Sequence, residues 1–559
     1  MSAPGPLVDA VPRDGPGARE IGFVLPERYN ASAILFDNLA AGRGGKVALR
    51  TDAGDVSYEA LAREAARFGE GLLSLGLTRG ERVLLLMDDS PAHAAAFFGA
   101  IRAGLAPVMT NTLTPPDLLR FYLEDSGARA IVLDAAFAGL LPPETIAGTA
   151  LTAAVVANGT AALAGPARIE PAATWLAGFP GSLAAADTHR DEMAFWMYSS
   201  GSTGRPKGIV HLQHDMAYTA ASYGRHVLAL TPDDVCFSVP KLFFAYGLGN
   251  SLTFPFSVGA SSVLMAGRPD PARVFAAIGR HRPSVLFGLP TLYTALVKAA
   301  EAASADLSSL RLAISAAEVL AGEIATAWRG LGAPEIVEGL GSTEALHIYL
   351  SNAPGATKPG AAGRRVPGYE LRLTGPDGRE VGDGEEGILW VRGDSSAPLY
   401  WNRPDKTAES FRDGWIWTGD RFTRDAEGFH SFRGRADDLV KVSGQWVHPL
   451  EIELALADHP AVRECAVLAL EGADRRMSVQ AFVVCADGET GPVRTSELQA
   501  WVKARLLPHK YPRTVAYLDA LPKTGTGKID RQALLRRGKA TTPAEEDRVT
   551  AGPRRLSGM

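Results

Sequence analysis

The sequence predicts a two-domain protein of the α/β class. We expect a large N-terminal domain of parallel-type sheets with covering helices plus a β subdomain, followed by a small C-terminal α+β domain. A chain of 559 residues is too long for a single compact core. Apolar runs that suit buried strands alternate with helix-like segments, which is typical of parallel sheets. Beyond residue 361 the pattern changes to short strands with Gly/Asp turns, and a new helix–strand alternation starts after residue 435.

The elements are predicted from the spacing of apolar residues in each segment. Residues 58–75 have helical spacing, with Leu61, Ala65, Phe68 and Leu72 on one face, and the pattern ends at Gly76. Buried strands are predicted at 83–87, 107–109, 130–133, 193–197, 261–265 and 284–287, and helices at 91–103 and after Pro271. The β subdomain is expected at 370–373, 387–392 and 428–432. In the C-terminal domain we expect helices at 449–456 and 495–507 and strands at 464–470 and 478–485.

Changes in the residue pattern along the chain predict its domain boundaries. We expect a flexible lead-in at 1–25, an N-terminal domain at 26–436, a C-terminal domain at 437–538 with a hinge at 435–438, and a disordered tail at 539–559.

The overall composition limits the classes of function. A net charge of −5 gives no reason to expect nucleic acid as a partner, and no apolar run is long enough to span a membrane. Three cysteines fit no metal-binding spacing and suggest reduced thiols, so a cytoplasmic protein is expected.

The most informative segment, 198–211, reads Tyr-Ser-Ser-Gly-Ser-Thr-Gly-Arg-Pro-Lys-Gly-Ile-Val-His. Its glycines let backbone N–H groups approach an anion, its hydroxyls can donate to anion oxygens, and Lys207 adds a positive charge. The Gly-x-x-x-x-Gly-Lys-Ser/Thr order of a Walker loop is missing. We interpret it as a polyphosphate-binding loop; the alternative is an ordinary surface turn.

Five further segments carry complementary chemistry. Residues 339–344 offer a hydroxyl and a carboxylate after a glycine turn, which suits phosphate and Mg²⁺. Residues 415–420 place Asp420 where it could accept hydrogen bonds from a ribose. The others are a charged joint at 434–438, a glycine-containing turn at 441–446 and a Gly-rich loop with Lys528 at 522–530. Each one alone also fits a purely structural role.

Together with the phosphate loop, these segments make residues 29–531 resemble the adenylate-forming superfamily of acyl-CoA synthetases, luciferases and peptide-synthetase adenylation domains. The resemblance implies a mobile C-terminal domain and a two-step reaction that uses ATP, Mg²⁺ and CoA. A carboxylate first attacks the α-phosphate of ATP, which gives an acyl-adenylate and pyrophosphate. The C-terminal domain then rotates, and a thiol displaces AMP.

The resemblance also implies roles for individual residues. The loop that binds the β- and γ-phosphates comprises Ser199, Ser200, Gly201, Ser202, Thr203, Gly204 and Lys207. Thr343 is implied as the α-phosphate ligand, Glu344 as the Mg²⁺ ligand, and Asp420 and Arg435 as the ribose contacts. Lys528 would bridge the substrate carboxylate and the α-phosphate. The remaining implied positions are Ala316, Ala317, Glu318, Leu340, Gly341 and Ser342 for the nucleotide, Asp437 for the hinge, and Lys441, Ser443, Gly444, Gln445 and Trp446 for the CoA tunnel.

Four segments resemble benzoate–CoA ligases in particular: 241–250, 283–293, 346–348 and 395–402. The resemblance implies an aryl pocket formed by Phe244, Ala245, Tyr246, Gly247, Ala316, Gly341, Leu346, His347 and Ile348. Ala245 replaces the aspartate that binds the ammonium group in amino-acid adenylation domains, which disfavours an amino-acid substrate. Two positions depart from the family pattern: Leu340 replaces a tyrosine that stacks on adenine, and Ala317 replaces a glycine.

We therefore expect an ATP-dependent, AMP-forming aryl-CoA ligase for benzoate or a small substituted benzoate. The alternatives are a ligase for 2-aminobenzoate, hydroxybenzoate or furoate, and an adenylation domain that loads a carrier protein, although 540–559 is too short to be a carrier. A luciferase-like oxidation and a non-catalytic nucleotide-binding protein fit the residues less well. A monomer or homodimer is expected. Lys528 also resembles the site at which acyl-CoA synthetases are silenced by a protein lysine acetyltransferase.

Overall fold

A computed structural model describes residues 15–199, 205–316, 320–436, 440–442, 445–471, 477–507, 509–523 and 529–540. The chain forms two compact units, residues 1–432 and 433–559. The first unit contains two large sheets and a smaller one, and the second contains a three-stranded sheet and a two-stranded ribbon.

A seven-stranded sheet carries the segment that leads into the phosphate loop. In spatial order its strands are Arg168–Pro171, Ala153–Ala157, Ala130–Asp134, Arg82–Leu86, Ala106–Met109, Met193–Ser199 and Lys207–Leu212. All neighbours are parallel except the last pair, which is antiparallel. The central strands are buried along almost their whole length, as expected for a parallel sheet covered on both faces. The predicted strands at 83–87, 107–109, 130–133 and 193–197 are thus confirmed.

A nine-stranded sheet carries the second half of the candidate site. Its strands, in spatial order, are Arg364–Arg365, Ile348–Ser351, Ile336–Gly341, Leu312–Ala316, Val285–Gly288, Val235–Ser238, Ser261–Val263, Val47–Thr51 and Gly54–Ser57. The six inner strands from Ile336–Gly341 to Val47–Thr51 pair in parallel, and the strands beyond them at both edges are antiparallel. Ser261–Val263 is two residues shorter than predicted.

The α-helices of the first unit connect and cover these sheets. Their bounds are Pro16–Glu20, Ala33–Ala40, Tyr58–Ser74, Pro91–Arg102, Pro116–Ser126, Pro143–Ile146, Ala172–Trp175, Asp215–Thr219, Ala245–Leu248, Phe254–Val258, Pro271–His281, Pro290–Lys298, Gly322–Gly330 and Pro404–Ser410. Ser57 caps the predicted 58–75 helix by accepting from the N–H of Ala60. This helix crosses Pro91–Arg102 so closely that a Cβ at Gly99 would lie 2.3 Å from the Ala65 carbonyl oxygen.

The smaller sheet of the first unit matches the expected β subdomain. Four of its strands are Glu370–Thr374, Glu386–Arg392, Trp415–Arg424 and Phe411–Arg412. The fifth, His430–Arg435, has its first three residues in the first unit. The last strand begins two residues later than predicted and extends to Arg435. Together with the two large sheets it confirms the predicted fold class.

The second unit is an α+β structure. Strands Val462–Glu471, Met477–Cys485 and Thr514–Tyr517 form its sheet, and helices Pro449–Ala457, Pro492–Lys503 and Arg531–Ala540 accompany them. The helix predicted at 495–507 begins earlier because Gly491 (φ 105°) and Pro492 start it, and it ends at Lys503. Among the described residues, no helix is both long and apolar enough to cross a membrane.

Candidate active site

The phosphate loop connects two antiparallel strands of the seven-stranded sheet. Met193–Ser199 leads into it and Lys207–Leu212 leads out, with Ser199 paired to Lys207. A Walker loop instead lies between a strand and a helix, so the structure agrees with the missing Walker pattern. Ser200, Gly201, Ser202, Thr203 and Gly204 lie outside the described residues.

Thr343 and Glu344 lie in a tight turn between Ile336–Gly341 and Ile348–Ser351. The carbonyl of Thr343 accepts from the N–H of Leu346 at 3.0 Å. Leu346 has a φ of +64°, which is uncommon for a residue other than glycine. A Cβ at Gly341 would lie only 2.3 Å from the carbonyl oxygen of His347, so the start of this turn requires glycine. We call residues 342–347 the carboxylate turn.

Tyr400 joins the carboxylate turn to the lysine of the phosphate loop. Its hydroxyl donates to Glu344 Oε1 at 2.8 Å, and Lys207 Nζ lies 4.1 Å from the centre of its ring. The chain around Tyr400 is held against the edge strand by the bond from Trp401 N–H to the carbonyl of Gly208, at 2.7 Å. Ala397 N–H also donates to the carbonyl of Glu344 at 2.7 Å. Lys207, Tyr400 and Glu344, which lie 56 to 193 positions apart in the chain, thereby form one group of a cation, a phenol and a carboxylate.

Sequence reasoning did not assign a role to Tyr400. It noted 395–402 only as a segment that resembles benzoate–CoA ligases. A signal was present, since a tyrosine between Leu399 and Trp401 is a polar group in an apolar stretch and needs a partner when buried. The partner itself could not be found from local spacing.

The predicted aryl pocket draws on two separate segments that the structure brings together. The rings of Tyr246 and His347 lie 5.5 Å apart, and Phe254 meets His347 edge-on at 4.5 Å. Phe244, Ala245 and Leu346 belong to one apolar cluster, and Tyr246, Leu340, Ala316 and Ile348 belong to a second. Phe244 and Tyr246 are only partly buried, whereas Phe243 is core.

His347 is enclosed by two π-helical stretches. Tyr223, on Ala220–Val227, lies 5.4 Å from its ring, and a Cβ at Gly249, on Gly249–Thr253, would lie 2.4 Å from its Cδ2. Such π-helical insertions are frequent at functional sites. The side chain is 2% exposed, and burial lowers its pKa to about 3, so the ring is neutral. Neither ring nitrogen has a hydrogen-bond partner of good geometry among the described residues, although the Tyr246 backbone lies close enough to oppose part of the fall in the pKa.

Tyr293, at the end of the segment 283–293, packs in the core. Tyr293 is fully buried, packs edge-on against Trp328 at 5.1 Å and donates to the carbonyl of Ile314 at 2.9 Å. An acid not noticed in the sequence, Glu338, lies half-buried on the strand that leads to the carboxylate turn. Burial raises its pKa to about 7, and Leu320 N–H donates to its carboxylate at 3.2 Å.

The other predicted positions are distributed over the two units. Asp420 lies on Trp415–Arg424, where its N–H donates to Thr418 Oγ1 at 3.1 Å, and Arg435 ends His430–Arg435. Backbone pairing places Lys441 opposite Trp446 and Val442 opposite Gln445. Six of these positions lie outside the described residues: Ala317, Glu318, Asp437, Ser443, Gly444 and Lys528.

No group of three or more His, Cys, Asp or Glu side chains within the described part of the chain could hold a metal ion. Glu344 offers one carboxylate, which is linked to Lys207 through Tyr400. Mg²⁺ is usually held by one or two carboxylates together with the phosphates of its substrate. The donor set therefore fits a Mg²⁺ ion that arrives with a nucleotide.

Comparison with known proteins shows which family the chain belongs to. Residues 36–401 match the AMP-binding enzyme family, and residues 451–528 match the AMP-binding enzyme C-terminal domain. A benzoate–CoA ligase of Thauera aromatica is 43% identical over 511 residues, covering 91% of this chain and 96% of that protein. A 4-hydroxybenzoate–CoA/benzoate–CoA ligase of Rhodopseudomonas palustris is 41% identical, covering 90% of this chain and 94% of that protein.

Two solved structures show the same fold. An anthranilate CoA ligase, AuaEII, in complex with anthranoyl-AMP superposes with a TM-score of 0.87 at 37% identity, covering 92% of this chain and 98% of that one. A benzoate CoA ligase from Burkholderia xenovorans LB400 gives a TM-score of 0.83 at 39% identity, with coverages of 91% and 100%. The chain therefore belongs to the AMP-binding enzyme family, as an AMP-forming acid–thiol ligase similar to the benzoate–CoA ligases.

Proposed function

We propose that the protein is an ATP-dependent aryl-CoA ligase that activates benzoate or a small ring-substituted benzoate. The observation that carries this proposal is the contact between the rings of Tyr246 and His347, 5.5 Å apart, with His347 three residues after Glu344 in the chain. A flat aromatic acid would pack among these rings and present its carboxylate toward the nucleotide site. The identities with benzoate and hydroxybenzoate ligases support the same substrate class.

The reaction proceeds in two displacements. A carboxylate oxygen forms a bond to the α-phosphorus of ATP while the bond to pyrophosphate breaks. The CoA thiol then loses its proton, its sulfur attacks the acyl carbon, and AMP leaves with the electron pair of the broken C–O bond. Glu344 would hold a Mg²⁺ ion, which would neutralise charge on the phosphates.

The chain's own residues supply positioning and charge. Lys207 and the loop before it would orient the β- and γ-phosphates, and Thr343 would donate to the α-phosphate. Tyr400 holds the Glu344 carboxylate at 2.8 Å, so it need not reorganise when the nucleotide binds. Lys528 would join the two reacting anions during adenylation only. The hinge at Asp437 and the tunnel positions keep their proposed roles in the second step.

One observation favours a second candidate, a hydroxy- or aminobenzoate. A neutral imidazole has one donor and one acceptor, and burying both without partners is costly. His347 is in that situation among the described residues. A ring hydroxyl or amino group within reach would complete one of these hydrogen bonds.

The test is AMP formation with Mg-ATP and CoA across benzoate, aminobenzoates, hydroxybenzoates, furoate, cinnamate and hexanoate. We expect small aryl acids to be preferred. A His347→Phe variant should keep benzoate turnover and lower turnover of hydroxy- and aminobenzoates relative to benzoate. Turnover with hexanoate alone, or thioester formation only on a carrier protein, would contradict the proposal.

Three further expectations stay predictions. Acetylation of Lys528 by an acetyltransferase would remove the cation used in adenylation and leave thioester formation intact. A monomer or homodimer is expected. A cytoplasmic location is supported by Cys236, Cys465 and Cys485, which are all unpaired and buried thiols.

A further inference from the structure

Two buried histidines lie on and just after the strand that leads out of the phosphate loop. His211 is the penultimate residue of Lys207–Leu212, and His214 lies two residues beyond the end of that strand. Their acidic partners are Asp215 and Asp191. All four residues are at most 5% exposed. Buried charged groups are rare unless they are paired, so this cluster calls for a physical reason.

His211 connects the phosphate-loop strand to the carboxylate turn. Its Nε2 lies 2.8 Å from the carbonyl oxygen of Thr343, and its Nδ1 lies 2.8 Å from Asp215 Oδ2. A carbonyl oxygen can only accept, so Nε2 carries the hydrogen and donates. The ring also stacks on Phe195, on the strand that leads into the phosphate loop, with centroids 5.3 Å apart.

His214 connects the same cluster to the segment that carries Tyr400. Its Nδ1 lies 2.8 Å from the carbonyl oxygen of Arg190, and its Nε2 lies 2.7 Å from that of Asp394. Both partners are acceptors, so each ring nitrogen lies where it can donate a hydrogen bond. Two carboxylate oxygens also lie close to the ring, Asp215 Oδ1 at 3.1 Å from Nε2 and Asp191 Oδ1 at 3.4 Å from Nδ1.

The cluster thus joins three separate segments to residues 211–215. It contacts the carboxylate turn through Thr343, the segment before Tyr400 through Asp394, and the residues that precede Met193–Ser199 through Arg190. We propose that His211 is a positioning residue for adenylation: its Nε2–H fixes the carbonyl of Thr343, and thereby the hydroxyl of Thr343 and the carboxylate of Glu344. This inference rests on the nucleotide-binding roles proposed for Thr343 and Glu344.

Two variants separate the two hydrogen bonds of His211. A glutamine amide reaches the position of Nε2, whereas an asparagine amide reaches only that of Nδ1. His211→Gln therefore keeps a donor for Thr343, and His211→Asn keeps a donor for Asp215. A side chain that merely pairs with Asp215 or fills space would make the Asn variant at least as active as the Gln variant.

The measurements are the acid-dependent ATP–pyrophosphate exchange rate, the rate of thioester formation from supplied benzoyl-AMP and CoA, and the Kd of α,β-methylene-ATP with Mg²⁺ by calorimetry. We expect His211→Asn to lower exchange about a hundredfold, as displacements of about 1 Å can do, and to weaken the analogue. Thioester formation should change less than threefold. The exchange rate of His211→Gln should be at least tenfold higher than that of His211→Asn.

His281→Phe is the control for the general effect of replacing a buried histidine. His281 is 6% exposed, ends the helix Pro271–His281 and lies outside the candidate site. The exchange rate of this variant should equal that of the unmodified protein. If the His211 variants do not fold, Asp215→Asn tests the same link, because Asp215 Oδ2 lies 2.8 Å from His211 Nδ1 and changing it should also lower exchange selectively.

Equal exchange rates in the Gln and Asn variants, equal loss of both half-reactions, or an unaffected Asp215→Asn variant would overturn the inference. Failure of the proposed function is distinguishable, because the unmodified protein would then show no acid-dependent exchange with any aryl acid.

Discussion

Replacing Tyr400 by phenylalanine tests the arrangement of the candidate site most directly. The change removes the hydroxyl that donates to Glu344 Oε1 at 2.8 Å and leaves the ring that lies 4.1 Å from Lys207 Nζ. Tyr400 is 4% exposed, so water has little access to replace the lost donor. A hydrogen bond to a charged group contributes about 1.5–3 kcal/mol.

If this energy is used to hold Glu344 for the adenylation transition state, the rate of that step should fall roughly tenfold to 150-fold. We expect a value near the middle of this range, about thirtyfold. The second half-reaction starts from acyl-adenylate and should change little, because pyrophosphate and its metal have already left. The assay is acid-dependent ATP–pyrophosphate exchange, compared with thioester formation from supplied benzoyl-AMP.

Tyr293→Phe provides a matched control. Tyr293 is also buried and also loses a hydrogen bond, the one that it donates to the carbonyl of Ile314 at 2.9 Å, but it lies in the core. It should cost about 1 kcal/mol of stability and leave both half-reactions unchanged. The reasoning is refuted if Tyr400→Phe exchanges at nearly the normal rate, or if it slows both half-reactions by the same factor while remaining folded.

Three other changes test separate parts of the molecule. Lys528→Ala should abolish exchange while supplied benzoyl-AMP is still converted; loss of both activities would remove the assignment of Lys528 to adenylation. Burial raises the pKa of Glu338 to about 7 from 4.5, so the folded state keeps a proton that the unfolded state loses. The free energy of unfolding therefore falls as pH rises from about 4.5 through 7, by about 3 kcal/mol at most. Glu338→Gln should lessen the fall in Tm between pH 5 and pH 8. The same fall in Tm in the variant and the unmodified protein would contradict this. Gly99→Ala should destabilise the first unit by about 1–3 kcal/mol, because its Cβ would lie 2.3 Å from the Ala65 carbonyl oxygen. The Cβ of Gly279→Ala would meet nothing within 4 Å, so this control should be neutral or stabilising. Thermal unfolding measures both effects.

The fold class could be predicted from the sequence because it depends on local patterns. The helix at Tyr58–Ser74 and the strands at Arg82–Leu86 and Ala130–Asp134 show their periodicity and burial within windows of five to seventeen residues. Boundaries were less certain where a local rule was overlooked. The helix at Pro492–Lys503 begins at a Gly-Pro pair, and the sequence prediction placed its start three residues too late.

The phosphate loop, the carboxylate turn and the aryl segments were also recognisable, because each one carries its chemistry within a few consecutive residues. Which side chains meet was not recognisable in the same way. Tyr400 reaches Glu344 across 56 positions, and His211 reaches Thr343 across 132. Tyr246 reaches His347 across about a hundred positions of the chain.

The sequence by itself therefore determined the family, the order of strands and helices, and the residue types available for binding a nucleotide and an aryl acid. Only the tertiary structure decided that Tyr400 holds the Glu344 carboxylate, that two buried histidines hold the turns of the site, and that His347 is enclosed among aromatic rings. The physical reason is that periodicity and turn chemistry act between near neighbours in the chain. Hydrogen bonds and ring contacts instead depend on which sheet edges and loops the whole fold brings within a few ångströms of one another.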